Sequence, residues 1–114
     1  MTGDPHRELT QVAGGDGPAA RFAKTALGGG PVASRLRAAI LALACHRGPD
    51  SSICPSDAAR ALGGADWREL SEESRRIAFE LACDGIASQV TQRGDVVDPP
   101  ERPRGPIRIR IKPT

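Results

Sequence analysis

Aromatic residues are nearly absent from this chain. Its 114 residues include no tyrosine, one tryptophan (Trp67) and two phenylalanines (Phe22, Phe79), so Leu, Ile, Val and Ala must build the core. A chain of this length holds one domain at most, with one modest core. Cysteine is also scarce: Cys45, Cys54 and Cys83 are odd in number and widely spaced, whereas a secreted disulfide scaffold carries a dense, even set. The start, Met1-Thr2-Gly3-Asp4-Pro5, lacks the basic-then-apolar order of a secretory signal. No run approaches the roughly 18 apolar residues of a membrane helix. The expectation is a cytoplasmic protein with free thiols and no membrane contact.

Other absences narrow the chemistry. Cys45, His46, Cys54 and Cys83 lack the two-to-four-residue pair spacing of structural zinc sites, so no metal is expected. The glycine runs lack the Lys-Ser/Thr ending of a nucleotide-binding loop, and no Ser/His/Asp set or carboxylate pair stands out. The reading is a non-enzyme with no cofactor and no evident small-molecule substrate. The net charge of +2 excludes a histone-like polycation. The distribution is more informative: from Arg102 to Lys112 there are five cations and no acid. Such clustering raises the local potential even on a near-neutral protein.

Thirteen glycines and ten prolines are many for this length, and a large share fall outside residues 34–98. Gly14-Gly15-Asp16-Gly17-Pro18 and Gly28-Gly29-Gly30-Pro31 flank a short apolar piece, Ala19 to Leu27. Residues 1–33 therefore read as a disordered tail and linker, because two helical turns alone are marginal in water. The domain is expected over residues 34–112.

Within it, Leu36, Ile40, Leu43 and Ala44 recur at helical spacing, predicting a central helix from Ser34, as its cap, to Arg47, stopped by Gly48-Pro49. Ser51 to Ile53 reads as a short extended segment. Cys54-Pro55-Ser56-Asp57 then opens a second helix to about Leu62, ended by Gly63-Gly64. Asp66-Trp67-Arg68-Glu69 signals a third start, and that helix runs to about Asp84 with Gly85 as its stop. Leu70, Ile77, Ala78 and Leu81 share one face of the third helix; Glu72, Arg76, Phe79 and Cys83 share the other. Trp67 reads as a core plug at the corner between helices.

Ile86 to Gln92 and Asp95 to Val97 read as strands around Arg93-Gly94. Ile107, Ile109 and Ile111 alternate with Arg108, Arg110 and Lys112, a period of two that buries the isoleucines and exposes the cations. Helices first and a basic hairpin last is the order of a winged-helix module. The predicted class is α+β, winged helix-turn-helix-like, with three helices and a small antiparallel hairpin or sheet.

The segments Cys54-Pro55-Ser56-Asp57-Ala58-Ala59-Arg60-Ala61-Leu62-Gly63-Gly64, Asp66-Trp67-Arg68, Val90-Thr91-Gln92-Arg93-Gly94, Val96-Val97-Asp98-Pro99 and Gly105-Pro106-Ile107-Arg108-Ile109-Arg110, in this order, resemble a bacterial family known as domain of unknown function 3253. The resemblance covers about residues 35–112. It implies a small winged-helix-like fold and no established activity, ligand or catalytic residue.

The residues carry three candidate functions. The first is contact with double-stranded DNA through its backbone, in a regulatory or accessory role. Arg108, Arg110 and Lys112 would follow phosphates along the last strand, with Arg93 at the turn, Arg102 and Arg104 in the loop, and Arg75 and Arg76 on the third helix. The same cations also suit a solvated edge strand, where they deter edge-to-edge pairing. The third helix is a poor groove reader, since Glu72, Glu73, Glu80 and Asp84 outnumber Arg75 and Arg76: either it stays out of a groove, or only Arg75, Arg76 and Trp67-Arg68 approach DNA. The second is docking of a protein partner, or of a second copy, on Phe79, Glu72 and Arg76. Against it, Phe79 is covered if the piece around Phe22 folds over it or if the core face is wider. The third is a thiol switch at Cys54, whose sulfur would face the unpaired N–H groups of a helix start; Arg60 lies about a turn and a half away. A small buried filler explains such a cysteine equally well.

Overall fold

The helix that organises the molecule is buried on every side through its middle two turns. Leu36, Ala38, Ala39, Ile40, Leu41, Ala42, Leu43 and Ala44 are all buried in α3 (Val32–Arg47). Turns buried in this way need neighbours all round them. The computed structural model, which describes residues 4–48, 51–84, 88–97 and 104–111, supplies them. Helices α1 (Pro5–Ala13) and α2 (Pro18–Leu27) precede α3; α4 (Pro55–Gly63), a 3₁₀ turn at Gly64–Asp66 and α5 (Arg68–Asp84) follow. Strands β1 (Ser88–Gln92), β2 (Asp95–Val96) and β3 (Arg108–Ile111) form an antiparallel sheet in the order β2-β1-β3. The class is α+β. No described helix is long and apolar enough to cross a membrane.

The expected tail over residues 1–33 is corrected by α1 and α2. Pro5 and Pro18 stand in the first turn of each, where a missing N–H is harmless, and Asp4 caps α1 through its side chain. The glycine clusters are the turns between packed helices. Leu9 (0% exposed), Val12, Ala23 and Ala26 join the same core as α3. Helices of nine and ten residues are marginal alone; covering the far side of α3 stabilises them. A polar clamp adds to this. Arg47 donates from Nε to Glu8 Oε2 (3.1 Å) and from Nη2 to Glu8 Oε1 (2.8 Å), and Nη1 reaches the Ser52 carbonyl (3.2 Å). The hydrogen bond to Glu8, opposed by partial burial, holds the Arg47 guanidinium above its usual pKa. His6 Nδ1 lies 2.8 Å from the Ala61 carbonyl and ties α1 to α4.

Helix α3 begins at Val32, with Pro31 as its cap residue, rather than at Ser34. The Pro31 carbonyl accepts the first helical hydrogen bond, from the Arg35 N–H (3.1 Å), so a Ser34 cap has no role. Gly48 ends α3 and Cys54 is the N-cap of α4, as the sequence predicts. Between them Ile53 pairs with Ile109, each N–H donating to the other's carbonyl at 2.9 and 2.8 Å. Ser74 is buried in α5 and donates to the Pro55 carbonyl (2.6 Å), fastening α5 to the start of α4. Gly63 permits the close approach at this corner, since a Cβ there would sit 3.1 Å from Leu70 Cδ1.

Leu9→Ala should destabilise the protein by about 2–5 kcal/mol in a urea titration, the range for a buried leucine losing its side chain. A disordered tail would give a shift near zero.

Candidate nucleic-acid interface

The alternation in the last strand holds for two of its three isoleucines, Ile111 being only half-buried. Ile107 and Ile109 are buried, and Val90 stands opposite Ile109 in the ladder. The intervening arginines do not simply project into water. Arg108 folds back over the start of α4: Nε donates to Ser52 Oγ (2.6 Å), Nη2 to the Ser52 carbonyl (2.8 Å), and Nη1 lies 3.4 Å from Cys54 Sγ. Arg110 is half-buried and its Nε is 3.3 Å from Gln89 Oε1. None of these acceptors is a carboxylate, so neither guanidinium group has an ion-pair partner among the described residues while both lose freedom of movement. Arg102 and Lys112, together with Gly85 and Ile86, lie outside the described residues.

The turn and the loop are held more openly. Thr91 pairs with Val96 and Gln92 with Asp95, leaving Arg93-Gly94 as a two-residue connection. Both residues have positive φ, 54° for Arg93 and 89° for Gly94, the combination that matches the twist of the flanking strands. Glycine enters this region freely, but an arginine there bears roughly 1–2 kcal/mol of steric strain. Arg104 is exposed, and its backbone is fixed from two sides. Gln92 Nε2 donates to the Arg104 carbonyl (2.6 Å), and Arg75 Nη1 donates to the neighbouring Gly105 carbonyl (2.6 Å).

On α5 the cations have other commitments. Arg76 is paired on successive turns with Glu73 and Glu80. The hydrogen bond to Glu73 is the main cause of its raised pKa. Arg75 binds the loop and lies 5.2 Å from the centre of the Phe79 ring. Phe79, read from its spacing as an exposed anchor, is a correction: it is only 5% exposed and belongs to the core cluster. The buried face of α5 is wider than the first stripe, including Ser74, Phe79 and Ala82 besides Ile77, Ala78 and Leu81. The docking surface built on Phe79 therefore lacks its apolar centre. Glu72 and Arg76 are exposed beside it.

Cys54 is the cap residue of α4, with its N–H donating to Asp57 Oδ2 (3.0 Å). Arg108 lies against its sulfur, and Arg47 is also close enough to interact with it electrostatically. Arg60 instead lies over Trp67, with its guanidinium carbon 4.4 Å from the ring centre, and Arg68 lies 4.8 Å from the same ring. Trp67 is therefore no core plug. It is half-buried at the α4–α5 corner and carries two cations, a contact worth about 0.5–1 kcal/mol each at exposed sites. The signal for this cluster was the order Arg60, Trp67, Arg68 across a tight corner.

Among the described residues no three His, Cys, Asp or Glu side chains gather closely enough to hold a metal ion. The family described as a protein of unknown function (DUF3253) matches residues 33–112. The match leaves α1 and α2 outside it. A comparison with curated proteins found no match.

The position of Phe79 can be checked directly. Phe79→Ala should lower stability by about 3–5 kcal/mol in denaturant titrations, while sedimentation shows the same association state as the parent. An unchanged midpoint with altered association would restore the docking reading.

Proposed function

The chain belongs to the DUF3253 family, and we propose that it is a non-enzymatic nucleic-acid-binding domain that contacts the backbone of double-stranded DNA. The observation carrying this reading is a division of charge. Arg76 on α5 is neutralised by Glu73 and Glu80, whereas Arg93, Arg104, Arg108 and Arg110 have no carboxylate partner among the described residues. Unpaired cations on a fixed hairpin and loop suit phosphates, which position a protein on a duplex without reading its sequence. The acidic α5 fits poorly between phosphates, so the contact is assigned to the hairpin and loop, not to a recognition helix. A winged-helix reading is supported by Ile53 pairing with β3, β3 with β1, and the basic turn lying beyond the α4–α5 pair. A regulatory or accessory role in the cytoplasm belongs to the same proposal.

Arg93 gives the sharpest test, because its contribution to binding and its effect on folding have opposite signs. Arg93→Gly removes a cation and relieves a positive φ. Its thermal midpoint should hold or rise while affinity for random-sequence duplex falls and the slope of log K against log salt becomes shallower by about one. If Arg93, Arg104, Arg108 and Arg110 can all become Ala without weakening the binding, the hairpin is not the contact surface.

A further inference from the structure

We propose that the α4–α5 corner is a second phosphate-contacting site, in which Arg60 and Arg68, stacked on Trp67, grip the backbone of the same duplex. This rests on the nucleic-acid reading and extends it to residues outside the hairpin.

Arg60 and Arg68 are exposed, and their guanidinium carbons lie 4.4 and 4.8 Å from one indole ring. No ion pair links either of them to a carboxylate among the described residues. An indole face attracts a cation without using its N–H donors or neutralising its charge. The stack therefore restricts two long side chains while leaving their N–H groups available, which suits a doubly hydrogen-bonded phosphate oxygen pair. Trp67 acts here as a positioning residue. Acids nearby include Asp4, which lines a pocket with Arg60, Asp57 on α4, Asp66 in the 3₁₀ turn and Glu69 and Glu72 on α5, but none of them is ion-paired with Arg60 or Arg68.

The corner and the basic loop are joined by one helix face. Arg68, Glu72 and Arg75 follow at i, i+4 and i+7, and Arg75 holds the Gly105 carbonyl beside Arg104. Seven residues of helix span roughly 10 Å, so the two clusters lie close enough for one duplex to reach both. Beside the loop, a groove of about 700 Å³ is lined by Glu69, Glu72, Glu73, Arg75, Arg104 and Gly105, among others. Its three glutamates disfavour phosphate inside the groove itself.

Trp67 is the only tryptophan, so its fluorescence reports on this corner alone. The full chain is titrated with a random-sequence duplex at several salt concentrations, following Trp67 emission and the anisotropy of the labelled duplex. The expected result is a salt-sensitive change in Trp67 emission that tracks binding. Arg60→Ala with Arg68→Ala should weaken binding and lower the salt slope by about two, with the thermal transition preserved. Trp67→Leu should weaken binding by anisotropy and leave the slope nearly intact. If the double variant binds like the parent while hairpin variants lose affinity, the corner is overturned and the hairpin stands. If only the corner variants lose affinity, the corner stands and the hairpin assignment falls. No binding by the parent, or equal affinity for a polyglutamate peptide at the same salt, overturns both.

Discussion

The reciprocal pairing of Ile53 with Ile109 is the constraint on which the arrangement depends. Two backbone hydrogen bonds join the segment entering α4 to the last strand. Both side chains are fully buried, and Ile109 also faces Val90 across the ladder. One residue pair thus sets the register of β3 against β1, the position of the sheet relative to α3, and the entry angle of α4. Slipping β3 by one residue would move arginines inward and isoleucines outward, at a large desolvation penalty. The placement of Arg108 over Ser52 and Cys54 follows from this register.

The second requirement comes from α3. Because its middle turns, residues 38–44, are buried all round, the sheet and α5 cannot cover it alone. The α1–α2 pair closes the remaining side, and the Glu8–Arg47 clamp holds that pair at the point where α3 ends and the Ile53 segment begins. The covering helices lie outside the stretch matched by the family, yet their apolar residues are continuous with its core.

Local signals read well from the sequence. The burial of Ile107 and Ile109, the turn at Arg93-Gly94, the stop at Gly48 and the cap at Cys54 each depend on a few adjacent residues, and each is found where the pattern put it. What was not legible depends on distant partners. Helices α1 and α2 gain their stability from α3, so their own composition resembles a linker. Phe79 falls off the first apolar stripe of α5 and is buried because the neighbouring elements wrap further round that helix. Arg108 looks like a solvent-facing cation in a period of two; its acceptors lie more than fifty residues earlier. Trp67 was read by its size, whereas two arginines and a tight corner keep it at the surface.

Charge and order therefore divide the molecule. On α5 Arg76 is paired with Glu73 and Glu80, while Arg108 and Arg110 are held by groups other than carboxylates and Arg60 and Arg68 by an aromatic face. Fixed but uncompensated positive charge is what a polyanion contact needs, and that fixation depends on β3 being locked to Ile53. Native-state hydrogen exchange at the Ile53 and Ile109 amides tests this most directly. The account predicts protection close to that of the central α3 amides, with opening only by global unfolding. Exchange at the rate of an exposed loop would contradict it, because Arg108 and Arg110 would then have no defined position.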